Sequence, residues 1–101
     1  MRLSTEQINT ILNSVAQVLG DDVLFVGVYG SRLDDGRRGG DVDLYLETTR
    51  PVPLLRRAAL ALELEKQLGL PVDLLVHVAS MAYTPFQLIA RKNSMCLKEA
   101  A

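Results

Sequence analysis

Tyr29–Glu47 reads YGSRLDDGRRGGDVDLYLE, and the parsing of this stretch decides the fold. An apolar run, VLFVGVY from Val23 to Tyr29, enters it and stops at Gly30-Ser31. A polar loop follows, whose segment Asp34 to Gly40 holds three glycines and two arginines. The chain then resumes as Asp41-Val42-Asp43-Leu44-Tyr45-Leu46. Alternation in a strand puts Asp41, Asp43 and Tyr45 on one face and Val42, Leu44 and Leu46 on the other. At a rise of about 3.3 Å per residue the two carboxylates stand roughly 6.6 Å apart along the strand. Neither is buried and they repel each other, so a cation between them is favoured.

Working outward, Ser4 and Gln7 have capping-box spacing, which opens a helix. Ile8, Ile11, Leu12, Val15, Val18 and Leu19 make its apolar face, and Gly20 closes it. Val23–Tyr29 is apolar enough to be a central strand. Its Gly27 is either a weak spot in the strand or a place where another group approaches the backbone closely. Beyond the second strand, Thr48–Pro53 breaks the pattern. A helix is expected from about Leu54 to Leu68, ended by Gly69. Leu55, Ala58, Ala59 and Leu62 form its apolar stripe, with Arg56, Arg57, Glu63 and Lys66 facing outward. Val72–Val78 is a third strand, on which Asp73, Leu75 and His77 share a face. Thr84-Pro85-Phe86-Gln87 is a second capping box with proline in the first turn. Its short helix runs to about Lys92, and Met95-Cys96-Leu97 forms a last edge strand.

The second strand, the Leu54 helix and the third strand make a βαβ unit, which sets the two strands parallel. Asp41 and Asp43 lie at the beginning of one and Asp73 at the beginning of the other. Adjacent strands about 4.8 Å apart bring the three carboxylates together. A short connection makes the first strand antiparallel to the second, so it delivers Gly30-Ser31 to the same end. The expected architecture is α/β (α+β): a small mixed sheet in the order first, second, third, helices packed on its apolar face, and the Asp face open. Ligands of doubly wound parallel folds sit at the other ends of the strands. Gly36, Gly39 and Gly40 also lack the G-x-G-x-x-G order, so a Rossmann-like reading is disfavoured.

Composition narrows the function. The 101 residues fit one domain, 1–101, with 49% hydrophobic and 23% charged residues, as in ordinary globular proteins. Eleven basic against twelve acidic residues disfavour direct nucleic-acid binding, which needs a basic excess. No apolar run reaches the ~18 residues of a membrane span, and MRLSTEQ lacks a signal-peptide core. The lone Cys96 fits a reducing cytoplasm.

Gly30-Ser31, a loop and then Asp41-x-Asp43 resembles the signature of the polymerase β-like nucleotidyltransferases. The short chain resembles their smallest branch, the minimal nucleotidyltransferases (MNT) that act as antitoxins beside HEPN-domain toxins. Nine residues separate Ser31 from Asp41, one fewer than the commonest family spacing. Gly40 stands where many members carry serine. The resemblance implies the polymerase β-like fold, ATP or another NTP as substrate, and two Mg²⁺ ions held by Asp41 and Asp43. Asp73 then completes the acceptor-side metal site and accepts the acceptor's proton. Gly30 and Ser31 then bind the nucleotide phosphates, and Arg32 either joins them there or points to solvent. The implied activity is transfer of NMP, AMP in the first instance, to a hydroxyl, here a tyrosine of a partner HEPN toxin. The alternative is a non-catalytic antitoxin that keeps the fold and neutralises by binding. Larger relatives carry an extra domain for the acceptor, so the acceptor surface is expected from a partner or a second copy of the chain. Arg37 and Arg38 are read either as phosphate ligands or as solvated loop residues. Tyr45 reads as an ordinary strand aromatic and His77 as a surface histidine.

Overall fold

The computed structural model describes residues 3–29 and 42–99. Ser4 caps the first helix, α1 (Thr5–Leu19). Its hydroxyl accepts from the Gln7 amide at 3.1 Å, and the Gln7 side chain accepts from the Ser4 amide at 2.8 Å. Gly20, at φ +64°, breaks the helix into a short 3-10 turn, a conformation open to glycine at no steric cost. β1 (Val23–Tyr29), β2 (Val42–Thr48), α2 (Leu54–Leu68), β3 (Val72–Val78), α3 (Pro85–Asn93) and β4 (Met95–Glu99) follow. The expected helices and strands are all present.

The sheet order is β3-β2-β1-β4, with β2 and β3 parallel and β1 antiparallel to both β2 and β4. Ile11, Val15 and Leu19 of α1 and Leu60 and Leu64 of α2 pack on Val26, Val28, Val42, Leu44 and Leu46. A register shift between Val23 and Phe25 lets Val23 and Val26 both serve this core. Phe25 points to the opposite face, because a bulge inverts the alternation beyond it.

Among the described residues, Asp73 at the carboxylate end of that opposite face is exposed, but the face is covered farther along. Ala90 of α3 packs there on Phe25 and Tyr45, with Leu75 and Tyr29 at the margin. Two large aromatic rings demand a cover, and a nine-residue helix with its own capping box supplies it. Gly27 lies beneath α3, between Tyr45 and Cys96 in the ladder. A Cβ at Gly27 would stand 2.7 Å from the Phe25 ring and 2.8 Å from Ser94 Oγ, which is the close approach the sequence suggested. Gly27→Ala is therefore expected to destabilise by about 1–3 kcal/mol, as overpacking does. Chemical denaturation measures this, and an unchanged midpoint would show that the Ser94 turn yields freely.

One expectation fails on α2. Leu60 and Leu64 are its buried residues, while Leu55, Ala58, Ala59 and Leu62 face solvent. The helix carries two apolar stripes on opposite sides. The one with Leu60, Leu64 and Leu68 has the more continuous leucine face, and it is the one that meets the core.

Candidate active site

Strand register brings the site together. Asp43 and Asp73 are direct partners across the parallel β2–β3 pair, and Tyr29 is the partner of Asp43 across β1–β2. Two contacts fix that register at the start of the strands. The Val42 amide donates to the Pro71 carbonyl at 2.8 Å, and the Val72 amide donates to Glu65 Oε2 of α2 at 2.9 Å. Asp43 is half-buried and Asp73 exposed. With neighbouring strands about 4.8 Å apart, two carboxylates side by side concentrate negative charge at this end of the sheet.

Tyr29 registers that charge. Burial raises its phenol above the usual value near 10, and the charges of Asp43 and then Asp73 raise it further. Phe86 packs edge-on against the Tyr29 ring at 6.3 Å, so the wall beside the carboxylates is aromatic. Sequence reasoning passed over Tyr29, although alternation with Phe25 and Gly27 was available as a signal. Asp43→Asn should lower the Tyr29 pKa, and Mg²⁺ bound at the pair should lower it as well. Ultraviolet titration of the three tyrosines, with Tyr29→Phe to assign the transition, measures both. Tyr45 and Tyr83 are also raised. All three therefore keep their protons in the folded protein where the unfolded chain loses them. Folding stability should fall as pH rises above about 10, the tyrosine value in unfolded chains.

Asp41, Gly30, Ser31 and Arg32, together with Arg37 and Arg38, lie outside the described residues. Their flanking neighbours, Tyr29 and Val42, are both at the carboxylate end. Among the described residues no group of three His, Cys, Asp or Glu could hold a metal. Asp43 and Asp73 are two hard oxygen donors side by side, and that donor set suits Mg²⁺, which is commonly held by one or two carboxylates plus substrate phosphates.

A second polar cluster sits at the far end of β2. Glu47 accepts from the Tyr83 hydroxyl at 2.6 Å and from Arg91 Nε at 3.1 Å. His77 Nδ1 lies 3.6 Å from the same carboxylate, and its Nε2 meets the Met81 carbonyl at 2.9 Å. His77 is only 2% exposed and stacks on Tyr83 at 3.9 Å, so the surface reading of this residue is wrong. The chain after β3 folds back over the ring, an arrangement that strand alternation alone does not reveal. The Tyr45 hydroxyl is buried beside that of Tyr83 with no aligned hydrogen bond among the described residues. Arg91 lies 3.7 Å above the Phe25 ring and also reaches Glu99 at 3.2 Å. A cavity of about 490 Å³ opens next to it, between α3 and β4, lined by Phe25, Leu88, Lys92 and Cys96 among others. Its lining holds none of the candidate site residues of the sequence, and its arginine is already ion-paired. The carboxylate end remains the better candidate.

No sequence-family model and no curated protein matches the chain. Solved structures do. One is the tri-AMPylated HEPN toxin of Shewanella oneidensis in complex with an MNT antitoxin, at TM-score 0.76 and 17% identity over 97% of this chain and 74% of that one. Another is the MntA–HepT toxin–antitoxin complex, at TM-score 0.72 and 17% identity over 96% and 74%. A third is a toxin–antitoxin complex with AMP-PNP, at TM-score 0.74 and 20% identity over 92% and 73%. The chain therefore has the fold of the MNT-type antitoxins.

Proposed function

We propose that this chain is a Mg²⁺-dependent nucleotidyltransferase that moves AMP from ATP to a hydroxyl of a partner protein, a tyrosine of a HEPN-type toxin, and so acts as its antitoxin. The observation that carries the reading is Asp43 and Asp73 in register on adjacent parallel strands, at the end of the sheet where β1 ends at Tyr29. The AMP-PNP and AMPylated-toxin complexes of the same fold support the choice of nucleotide and partner.

In this reading Asp43, with Asp41, holds the metal, and Asp73 completes the acceptor side. The metal, when bound, neutralises charge that develops on the phosphates. Asp73 takes the proton of the acceptor hydroxyl. The hydroxyl oxygen attacks the α-phosphorus, an O–P bond forms, and pyrophosphate leaves with the electrons of the broken P–O bond. Gly30 gives the phosphates access to the backbone, since a Cβ there would intrude. Ser31 and Arg32 supply donors to phosphate oxygens.

Co-expression with a HEPN-domain protein, followed by mass spectrometry of that protein, tests the proposal. An AMP adduct that disappears in Asp73→Asn is expected. Neutralisation of the partner with no adduct would replace the transferase by a binding module.

A further inference from the structure

Among the described residues, nothing packs on the outer stripe of α2. Leu54, Leu55 and Leu62 are 76%, 84% and 66% exposed, and Ala58 and Ala59 between them are exposed too. Single exposed leucines are ordinary, but a contiguous apolar row on a helix marks an interaction surface. Leu55, Ala58, Ala59 and Leu62 follow the i, i+3, i+4, i+7 spacing of one docking face. The inner face of the same helix is already occupied by the core, so this row needs a different partner.

The order of the row indicates which partner. Leu55, Ala58, Ala59, Leu62 reads the same from either end: leucine, two residues, two alanines, two residues, leucine. A two-fold contact requires a patch complementary to itself, and this row has that property in an antiparallel pair. With the axis between Ala58 and Ala59, Leu55 of one copy meets Leu62 of the other. The alanines face each other at the centre, where small residues let two helices approach to the short end of the 8–10 Å range. The flanking charges agree with this arrangement. Arg56 and Glu63 stand on the same side of the row at a 100° helical repeat. In the antiparallel pair, Arg56 of one copy falls two residues, about 3 Å along the axis, from Glu63 of the other. Within one chain Glu63 accepts from Gln67 at 2.6 Å. Arg56 has Asp22 nearby, whose carboxylate is already held by Arg50 at 3.0 Å.

We propose that this chain forms a two-fold dimer through α2, with the Leu55–Leu62 rows packed antiparallel and Arg56 paired with Glu63 of the second copy. The proposal does not depend on the catalytic reading. It does fix where the two candidate sites stand. The C-terminal end of α2 leads into β3 and Asp73, so antiparallel helices place the two carboxylate ends at opposite ends of the pair. The α2 contact itself therefore covers neither end.

Sedimentation of the full chain over the micromolar range tests the dimer. The mass should rise from 11.1 kDa toward twice that value. Leu62→Glu should hold it at the monomer mass with an unchanged circular dichroism spectrum, because the side chain is exposed. Arg56→Glu and Glu63→Arg should each weaken association roughly tenfold by placing like charges together. The double variant Arg56→Glu/Glu63→Arg should recover it. A wild-type chain that remains a monomer throughout overturns the proposal. Weakening by both single variants without recovery in the double variant overturns the antiparallel register and the proposal with it. A monomer whose capture of a co-expressed HEPN-domain protein is lost in Leu62→Glu assigns the row to that protein instead.

Discussion

Asp43→Asn should leave the fold intact and reduce AMP transfer by on the order of a thousandfold or more. Asparagine preserves the shape of the side chain on β2 and removes one negative charge from the pair that Asp43 makes with Asp73 across the parallel ladder. A metal held there is worth several kcal/mol of charge stabilisation in the transition state, and each 1.36 kcal/mol is tenfold in rate. If the two carboxylates only face solvent and touch no substrate or metal, the same change should alter function not at all. Single-turnover transfer measured with a co-purified HEPN-domain partner separates these outcomes. Partner binding, read by pull-down of the same variant, should survive, because it needs the surface and not the charge. The tyrosine titration adds an independent readout. Tyr29 feels both carboxylates, so its pKa should fall in Asp43→Asn whether or not the protein is an enzyme. A drop in the Tyr29 pKa with undiminished transfer would leave the geometry standing and remove the catalytic reading.

Much of this site was legible in the sequence because it rests on strand alternation and chain direction. Once Val42–Thr48 and Val72–Val78 are read as strands joined by a helix, parallel pairing follows, and Asp43 and Asp73 must begin their strands at the same end. Local capping chemistry fixed Ser4 and Thr84 as helix starts in the same way. What was not legible depends on tertiary choice between two options that are locally close. The α2 sequence LLRRAALALELEKQL offers an apolar row on either side, and only packing against α1 and β3 selects the row of Leu60 and Leu64. His77 was misread for a related reason. Its strand position says which face it is on, while its burial is decided by the chain near Met81 and Tyr83 closing over it. The bulge near Leu24 leaves no mark in composition, yet it reorients Phe25 and so helps create the second core under α3.

The second large effect concerns that second core. Glu47→Ala should destabilise the protein by about 3 kcal/mol, because removing a largely buried carboxylate strands the partly buried groups it holds. The Tyr83 hydroxyl loses its 2.6 Å acceptor, Arg91 Nε loses the oxygen at 3.1 Å, and buried His77 loses the carboxylate beside it. Arg91 is partly relieved by Glu99 at 3.2 Å and by solvent, which sets the expected value at the lower end of the 3–5 kcal/mol range for broken buried pairs. For a domain of this size the change corresponds to a fall in Tm of roughly 12–20 °C. Tyr83→Phe removes a single hydrogen bond and should cost only about 1 kcal/mol. Glu47→Gln should fall between the two, since its oxygen can still accept from Tyr83 while its NH₂ opposes Arg91. The pKa values of Tyr45 and Tyr83 should move back toward 10 in Glu47→Ala, because the Glu47 charge raises both. The loss also reaches the candidate site through α3. Phe86 at the start of that helix packs on Tyr29, and Arg91 and Ala90 near its end are what the second core and Glu47 hold in place. Glu47→Ala should therefore loosen the aromatic wall beside Asp43 and Asp73 without touching either carboxylate. A thermal midpoint within a few degrees of the wild type would show that α3 is held by Phe25, Tyr45 and Ala90 alone, and that the polar cluster is only a lining to that contact.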